Sequence, residues 1–417
     1  MKTYLDNAAT TKPDPEVVKA MAPYLTKKYG NPSSIHAWGQ EARVAVDEAR
    51  AKIASALGAA KPQEIIFTSC ATEANNLALK GVVEHARLND PRFGDGKRPH
   101  IIISPIEHHC VHDIGHYLEK TSQAEVSWLT VDGQGLIDPA EIEQLIKEET
   151  ILVSIMYVNN ETGTIEPIKE IGQLIKHARK GRNYPYFHTD AVQAVEYLAV
   201  NVQDLGVDLL SLSGHKFHTP KGIGALYVRE GTKLTPQIHG GGQEYHQRAG
   251  TENVPYIVGL GKAVELAAKS RDRVGKRVGR LRDQLIDGVL KKIPHAQLTG
   301  HPKQRSPHIA SFAFPGAEGE AILLLLDQAG IAASSGSACT SGNLAPSHVL
   351  LAMGISAEVA HTSLRLSLSK FTTEKEIKYA LEKLPPIITR LRGMAPQKTE
   401  KGPTPEVSPE EGCFKLI

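Results

Sequence analysis

The chain is predicted to be an α/β protein with two domains: a large one built on a mostly parallel sheet sandwiched by helices, and a smaller α+β one. Three features of the sequence carry that prediction. Its 417 residues are more than one ordinary hydrophobic core accommodates. Between about residues 15 and 255, helical stretches alternate with short apolar runs, the mark of parallel strands covered on both faces. Beyond Pro255 the pattern turns into a long amphipathic stretch followed by alternating runs.

Taken in order, the candidate buried strands of the large domain are residues 64–68, 100–104, 151–158, 184–189 and 209–213. Ile, Leu and Val dominate them, because a strand covered on both faces has no polar side to present. The long helix is marked by Val274, Val278, Leu281, Leu285 and Val289, three and four residues apart with arginines and lysines between them. Residues 309–314 and 363–368 alternate and read as strands with one covered face. The expected organisation is a large domain over 15–255, a small domain made of 1–14 and 256–392, and a tail over 393–417. That tail is rich in Pro, Glu, Lys and Thr, has little to bury, and is expected to be mobile. No internal repeat is visible.

Charge and cysteine usage narrow the function classes. The formal charge of +2 arises from 48 basic and 46 acidic residues interspersed along the chain, so no basic stripe exists to neutralise a phosphate backbone, and nucleic acid is not an expected partner. The start has no apolar core of signal-peptide length, and the greasiest run, residues 321–326, is too short to span a bilayer. A soluble, cytoplasmic protein without membrane contact is expected. Cys70, Cys110, Cys339 and Cys413 are far apart, without the spacing of a zinc site or a disulfide scaffold, and read as thiols.

The chemistry begins at Lys216. It closes the stretch Leu209-Leu210-Ser211-Leu212-Ser213-Gly214-His215-Lys216, where an apolar run ends in small, polar and then cationic groups. Upstream, Tyr186-Phe187-His188 runs into Thr189-Asp190 and brings a carboxylate to the end of another expected strand. An amine and a carboxylate at neighbouring strand ends suit pyridoxal phosphate: the lysine condenses with the aldehyde, and the aspartate keeps the pyridine nitrogen protonated so that the ring draws electrons. The plainer alternative is an ion pair at a sheet edge.

Ligands of an open parallel sheet sit outside the carboxyl ends of its strands, and the other expected strands end in groups suited to the same ligand. Thr68-Ser69-Cys70-Ala71-Thr72-Glu73 reads as a turn entering a helix, whose first N–H groups, from Ala71 on, and the Thr72 hydroxyl suit a phosphate; the alternative is an ordinary helix cap. Glu107-His108-His109-Cys110-Val111-His112 is dense in metal-ligand types, but His108, His109 and Cys110 are consecutive and are expected to diverge, so no metal is expected. A histidine stacked on a cofactor ring or acting as acid and base fits better, with a partly exposed structural histidine as the alternative. Asn159-Asn160-Glu161-Thr162-Gly163 offers an amide for a cofactor oxygen or a substrate carboxylate, and alone is only a turn signal. Gln193 lies three residues after Asp190 and reaches the same ligand.

These segments resemble the pyridoxal-phosphate-dependent cysteine desulfurases of the class V aminotransferase group, of the iron–sulfur-cluster and nitrogen-fixation type. Residues 4–11, 30–34, 68–73, 158–163, 190–193, 213–216, 240–242 and 334–341 carry the resemblance, which extends from residue 4 to about 392. It implies a fold-type I pyridoxal-phosphate transferase. It also implies that Lys216 carries the cofactor, Asp190 pairs with the pyridinium, His108 stacks on the ring and Gln193 bonds the phenolic oxygen. Thr72, Ser213 and His215 would hold the phosphate, and Thr251 would reach the phosphate of a neighbouring subunit, which implies a homodimer with shared sites. Asn160 and Arg365 would bind the substrate carboxylate. For Arg365 the pattern agrees: Leu364, Leu366 and Leu368 fill one strand face and leave Arg365 on the other, where a carboxylate-binding and a solvent-facing arginine are both open. Cys70 departs from the glycine common at that point of the family.

The run Ser334-Ser335-Gly336-Ser337-Ala338-Cys339-Thr340-Ser341-Gly342 sets one thiol among small residues and reads as a mobile loop. In the family this cysteine is the nucleophile. The expected activity is conversion of L-cysteine to L-alanine with sulfur held as a persulfide on Cys339 and handed to an acceptor or cluster-scaffold protein, with His108 managing thiol protons. The enzymatic alternatives are a selenocysteine lyase or a class V aminotransferase using the same Lys216. Outside enzymes, the alternative is a sulfur-carrier or scaffold protein that keeps the fold without turnover.

Overall fold

A computed structural model describes residues 1–93, 96–336 and 345–394. Cys339, Cys413 and all of the expected tail beyond Met394 lie outside the described residues.

A seven-stranded sheet forms the centre of the large unit, in the order Ile65–Thr68, Gly224–Val228, Leu209–Ser213, Tyr186–Asp190, Thr150–Ser154, His100–Ile103, Glu125–Trp128. Neighbours from Leu209–Ser213 to the far edge run parallel, while Gly224–Val228 is antiparallel to both of its partners. Alternate side chains feed two cores. Ile65, Phe67, Val153, Phe187 and Leu210 pack on one face, and Ile66, Ile101, Ile103, Leu152 and Leu209 on the other, so each of these strands must be apolar throughout.

The expected strands are present, with shifted ends. Glu64 closes a short helical turn rather than opening a strand, and Thr150–Ser154 stops four residues before Val158, which makes only an isolated bridge to Ile165. Two strands of this sheet were not anticipated. Glu125–Trp128 is the half-exposed edge and lacks an apolar run, and Gly224–Val228 is apolar but runs backwards, so no ligand group follows it. Its start serves the site in another way: Gly224 pairs with both Thr68 and Ser213. A Cβ there would lie 2.7 Å from the Cys70 carbonyl carbon and 2.8 Å from the Leu212 oxygen, so only glycine lets the turn after Thr68 close on the end of the Lys216 strand.

The second unit holds an antiparallel sheet of Ser363–Ser367, Ile309–Ala313 and Gln297–Leu298 against the helices Gly319–Gln328 and Glu374–Met394. The helix Val254–Lys292, 39 residues and about 58 Å long, crosses the expected boundary near 255. Its first turns, with Ile257, Leu260 and Val264, belong to the large core, and Val278, Leu281 and Leu285 belong to the small one. The amino-terminal segment ties the two units together. Thr3–Tyr4 pairs with Ile331–Ala332, and Asn7 Nδ2 donates to the Ser367 carbonyl at 2.8 Å. Residues 6–9 are thereby laid beside the strand ends of the large sheet. Among the described residues no helix is long and apolar enough to cross a membrane.

Candidate active site

One cavity of about 340 Å³ opens at the carboxyl ends of the parallel strands. Ala71, Thr72, His108, Asn160, Asp190, Gln193, Ser213, His215, Lys216 and Arg365 all line it, so ten residues predicted from separate segments converge on one space. Thr251 is exposed and does not line the cavity of its own chain, and Cys339 lies outside the described residues, although Ser334, shortly before it, lines the wall.

Lys216 ends a one-turn helix after its strand, and its Nζ donates to the Ala8 and Ala9 carbonyls at 2.7 and 2.8 Å. Asp190 is almost wholly enclosed. Its Oδ2 accepts from Asn75 Nδ2 at 2.8 Å and its Oδ1 from the Val192 amide at 2.9 Å. Burial nevertheless pushes its carboxyl above the usual range, against these two bonds and the charge of Lys216. A protonated ring nitrogen is the kind of group this carboxylate lacks.

His108 caps the helix His109–Lys120, accepting at Nδ1 from the Cys110 amide at 3.1 Å. The Cys110 thiol lies 3.0 Å from the same nitrogen, and burial, reinforced by the charge of Asp190, pushes that thiol up, so it stays protonated and donates. Burial first, and then Lys216, lower His108 to about 4. His108 is therefore neutral near pH 7, with Nδ1 as acceptor and the ring proton on Nε2. The expected divergence of His108, His109 and Cys110 is accordingly only partial: His108 and Cys110 meet, and His109 turns towards Asp113.

Gln193 donates from Nε2 to the Ala8 carbonyl at 2.9 Å and accepts at Oε1 from His308 Nε2 at 3.0 Å. Burial lowers His308 to about 3, so it is neutral, and its Nδ1 accepts from the Ser306 hydroxyl at 2.7 Å. Its ring stacks on Tyr197, with centroids 4.3 Å apart. This arrangement fixes which end of the Gln193 amide carries the N–H groups. Arg365 is buried, as the alternation of its strand allows, with Nη1 on the Asn160 carbonyl at 2.8 Å and Nη2 on Asp6 Oδ1 at 3.1 Å. Among the described residues, Arg365 Nε and Asn160 Oδ1 are buried without a hydrogen-bond partner.

The residues present fit pyridoxal phosphate. Cys70 caps the 19-residue helix Ala71–Asn89 without a side-chain hydrogen bond, which leaves the first N–H groups of that helix for an anion. A buried acid for the ring nitrogen, an amine for the aldehyde and the unsatisfied Arg365 Nε–H at the substrate end complete the set. Sequence reasoning passed over Asp6, Asn75 and His308, and gave Cys110 no role. Asp6 and Asn75 stood inside or beside the recognised segments; nothing in the alternating run around His308 marked it as reaching Gln193.

A model of the aminotransferase class-V family matches residues 3–380. The chain belongs to that family. The cysteine desulfurase IscS of Dictyoglomus turgidum is 49% identical over 399 residues, covering 96% of this chain and 98% of its own. The cysteine desulfurase IscS of Methanosarcina thermophila is 50% identical over 393 residues, covering 94% and 93%. Among solved structures, a NifS-like protein superposes with a TM-score of 0.85 at 38% identity, covering 94% of this chain and 100% of its own. Within the family this protein is a pyridoxal-phosphate-dependent cysteine desulfurase of fold-type I architecture.

Proposed function

We propose that the enzyme converts L-cysteine to L-alanine, that Cys339 receives the sulfur as a persulfide, and that the persulfide passes to an acceptor protein for iron–sulfur cluster or other thio-cofactor synthesis. The balance is simple: the substrate's Cβ–S bond breaks, the Cys339 Sγ–S bond forms, and the Cys339 thiol proton ends on the alanine product. The observation that carries this reading is the convergence of Lys216, Asp190, His108, Gln193 and Arg365 on one cavity with Ser334, near the Cys339 segment, in its wall.

When bound, pyridoxal phosphate supplies the electron sink that lets the substrate's Cα–H and Cβ–S bonds break. Asp190 holds the proton on its ring nitrogen, and Gln193, oriented by His308, offers an N–H to its phenolic oxygen. Ala71, Thr72, Ser213 and His215 take the phosphate. Arg365 and Asn160 take the substrate carboxylate, which displaces Asp6 from the guanidinium. Lys216 then serves as the base at Cα. Neutral His108, its proton on Nε2, exchanges a proton with the sulfur groups. Nucleophilic attack requires the Cys339 thiolate.

The site is completed by a second copy. Thr251 is exposed and does not line the cavity of its own chain, and its chain segment also carries the exposed Ile238 and Tyr245. In a homodimer it reaches the phosphate of the partner. The free thiols Cys70 and Cys110 suit a reducing compartment such as the cytoplasm.

The test is to incubate the holoenzyme with L-cysteine and measure the mass of the Cys339 peptide. One added sulfur atom is expected, with alanine formed. Cys339→Ala should abolish sulfur transfer from cysteine; a variant that keeps full turnover would point instead to a selenocysteine lyase or an aminotransferase.

A further inference from the structure

The helix His109–Lys120 carries a second cluster, apart from the His108–Cys110 contact. His109, His112 and Asp113 stand at positions i, i+3 and i+4, which share one side of a helix. Both imidazoles aim Nδ1 at the same carboxylate oxygen: His109 Nδ1 is 3.3 Å and His112 Nδ1 is 3.4 Å from Asp113 Oδ1. One ligand atom from each residue lies within 4.8 Å of the others. Tetrahedral ligands about 2.0–2.2 Å from a zinc ion are about 3.3–3.6 Å apart, so two edges of the triangle already have the required length.

The surroundings hold these rings in place. The His348 ring packs 4.8 Å from His109 and 4.5 Å from His112, and its Nε2 donates to the Glu107 carbonyl at 2.9 Å. The Trp128 ring lies 5.0 Å from His112. The side chains of His109, His112 and Asp113 are 36%, 21% and 60% exposed. His109 and Asp113 also line a shallow cleft whose wall includes Thr72, His108 and Cys110, residues shared with the cofactor cavity.

We propose that His109, His112 and Asp113 bind a borderline divalent transition ion of the zinc type at the rim of the active site. Two imidazoles and one carboxylate suit such an ion, whereas calcium and magnesium take oxygen ligands. Three protein ligands leave a fourth position for water or an incoming thiolate. The site is independent of the desulfurase reading. Bound metal places positive charge one residue from His108.

The experiment uses chelator-stripped holoenzyme titrated with Zn²⁺ by calorimetry, and with Co²⁺ followed by visible spectroscopy. Wild type is expected to bind one ion per chain in the micromolar range or tighter, with the d–d bands of nitrogen- and oxygen-ligated tetrahedral cobalt. His112→Ala and Asp113→Asn should each weaken binding at least as much as the roughly 10–100-fold lost with an outer partner, while metal-free cysteine turnover and the cofactor spectrum stay unchanged. Equal affinity in wild type and both variants would overturn the proposal. So would a thiolate-to-cobalt charge-transfer band, which would put the ion on a cysteine, or the absence of binding to wild type, which would leave a metal-free His–Asp hydrogen-bonded cluster.

Discussion

Arg365 is held by Asp6 and the Asn160 carbonyl, with its Nε unsatisfied in a buried position. A guanidinium in this setting is positioned for a two-point grip that a lysine ammonium does not reproduce. Arg365→Lys should therefore raise KM for L-cysteine about tenfold or more, the value of one charged hydrogen bond, with a smaller change in kcat. Steady-state kinetics check it, and an unchanged KM would remove Arg365 from the substrate contact. His108 gives a prediction of the opposite kind. Because burial and Lys216 lower it to about 4, its charge does not change between pH 5 and 8. The pH profile of sulfur transfer should rise with thiol ionisation and show no inflection near the ordinary histidine value of about 6.5. The same depressed value has a stability sign. The unfolded chain binds a proton here below about 6.5 and the folded chain does not, so His108 costs stability as pH falls from there towards 4. At this scale the sequence was informative where chemistry sits at a strand end, as at Asp190 and Lys216. It was silent where a side chain arrives from another element: His308 reaches Gln193 across 115 positions, and Asn75 bridges Asp190 and Cys110.

Two elements show how the chain supports the site from outside it. The segment leading to Thr251 contains Glu244, Tyr245 and His246 with φ of 46°, 56° and 63°, three successive non-glycine residues in the left-handed region. Such residues cost of order 1–3 kcal/mol each and persist only where surrounding contacts determine them. Here the determinant is a buried pair. Arg50 grips both Glu244 oxygens at 2.7 Å, Glu244 also accepts from the Phe67 amide at 2.8 Å, and both side chains are 2% exposed. Removing one partner leaves the other charge stranded, so Glu244→Gln should destabilise by about 3–5 kcal/mol in chemical denaturation. A loss below about 1 kcal/mol would mean that the bend does not depend on the pair. Neither partner was anticipated, because the two residues are 194 positions apart and neither is apolar. Glu161, on the turn after Thr150–Ser154, supplies the pH counterpart. Burial raises it to about 7, against a hydrogen bond from Ser347 and the charge of Arg365. The folded state thus holds this proton between about pH 4.5 and 7 where the unfolded chain has lost it, so the contribution of Glu161 is fully present below 4.5 and is lost as pH rises to 7. Glu161→Gln should flatten the stability profile across that window; a profile as steep as wild type would assign the slope to another group.

For the whole molecule, the fold class was legible because alternating apolar runs and helices admit few architectures, and the site was legible because an open parallel sheet gathers its strand ends on one edge. A contact between copies leaves no such periodicity, and on the proposed reading Thr251 is the residue that a second copy supplies. Thr251 is exposed, absent from its own cavity, and follows the bend that the Arg50–Glu244 pair anchors. A two-fold dimer that shares sites makes a quantitative prediction. Lys216→Ala disables the cavity of its own chain, and Thr251→Asp should disable the cavity of the partner by setting a carboxylate against the phosphate. Each homodimer is then inactive. In a mixed dimer both defects fall on one cavity, that of the Lys216→Ala chain, and the other cavity is intact. Random exchange of subunits makes about half the dimers mixed, so activity should return to about a quarter of wild type. If each chain instead built its site alone, Thr251→Asp, which lies outside its own cavity, would leave its homodimer active before any mixing. Measurement of alanine formation before and after subunit mixing separates the two outcomes, and it does so without depending on the identity of the sulfur acceptor.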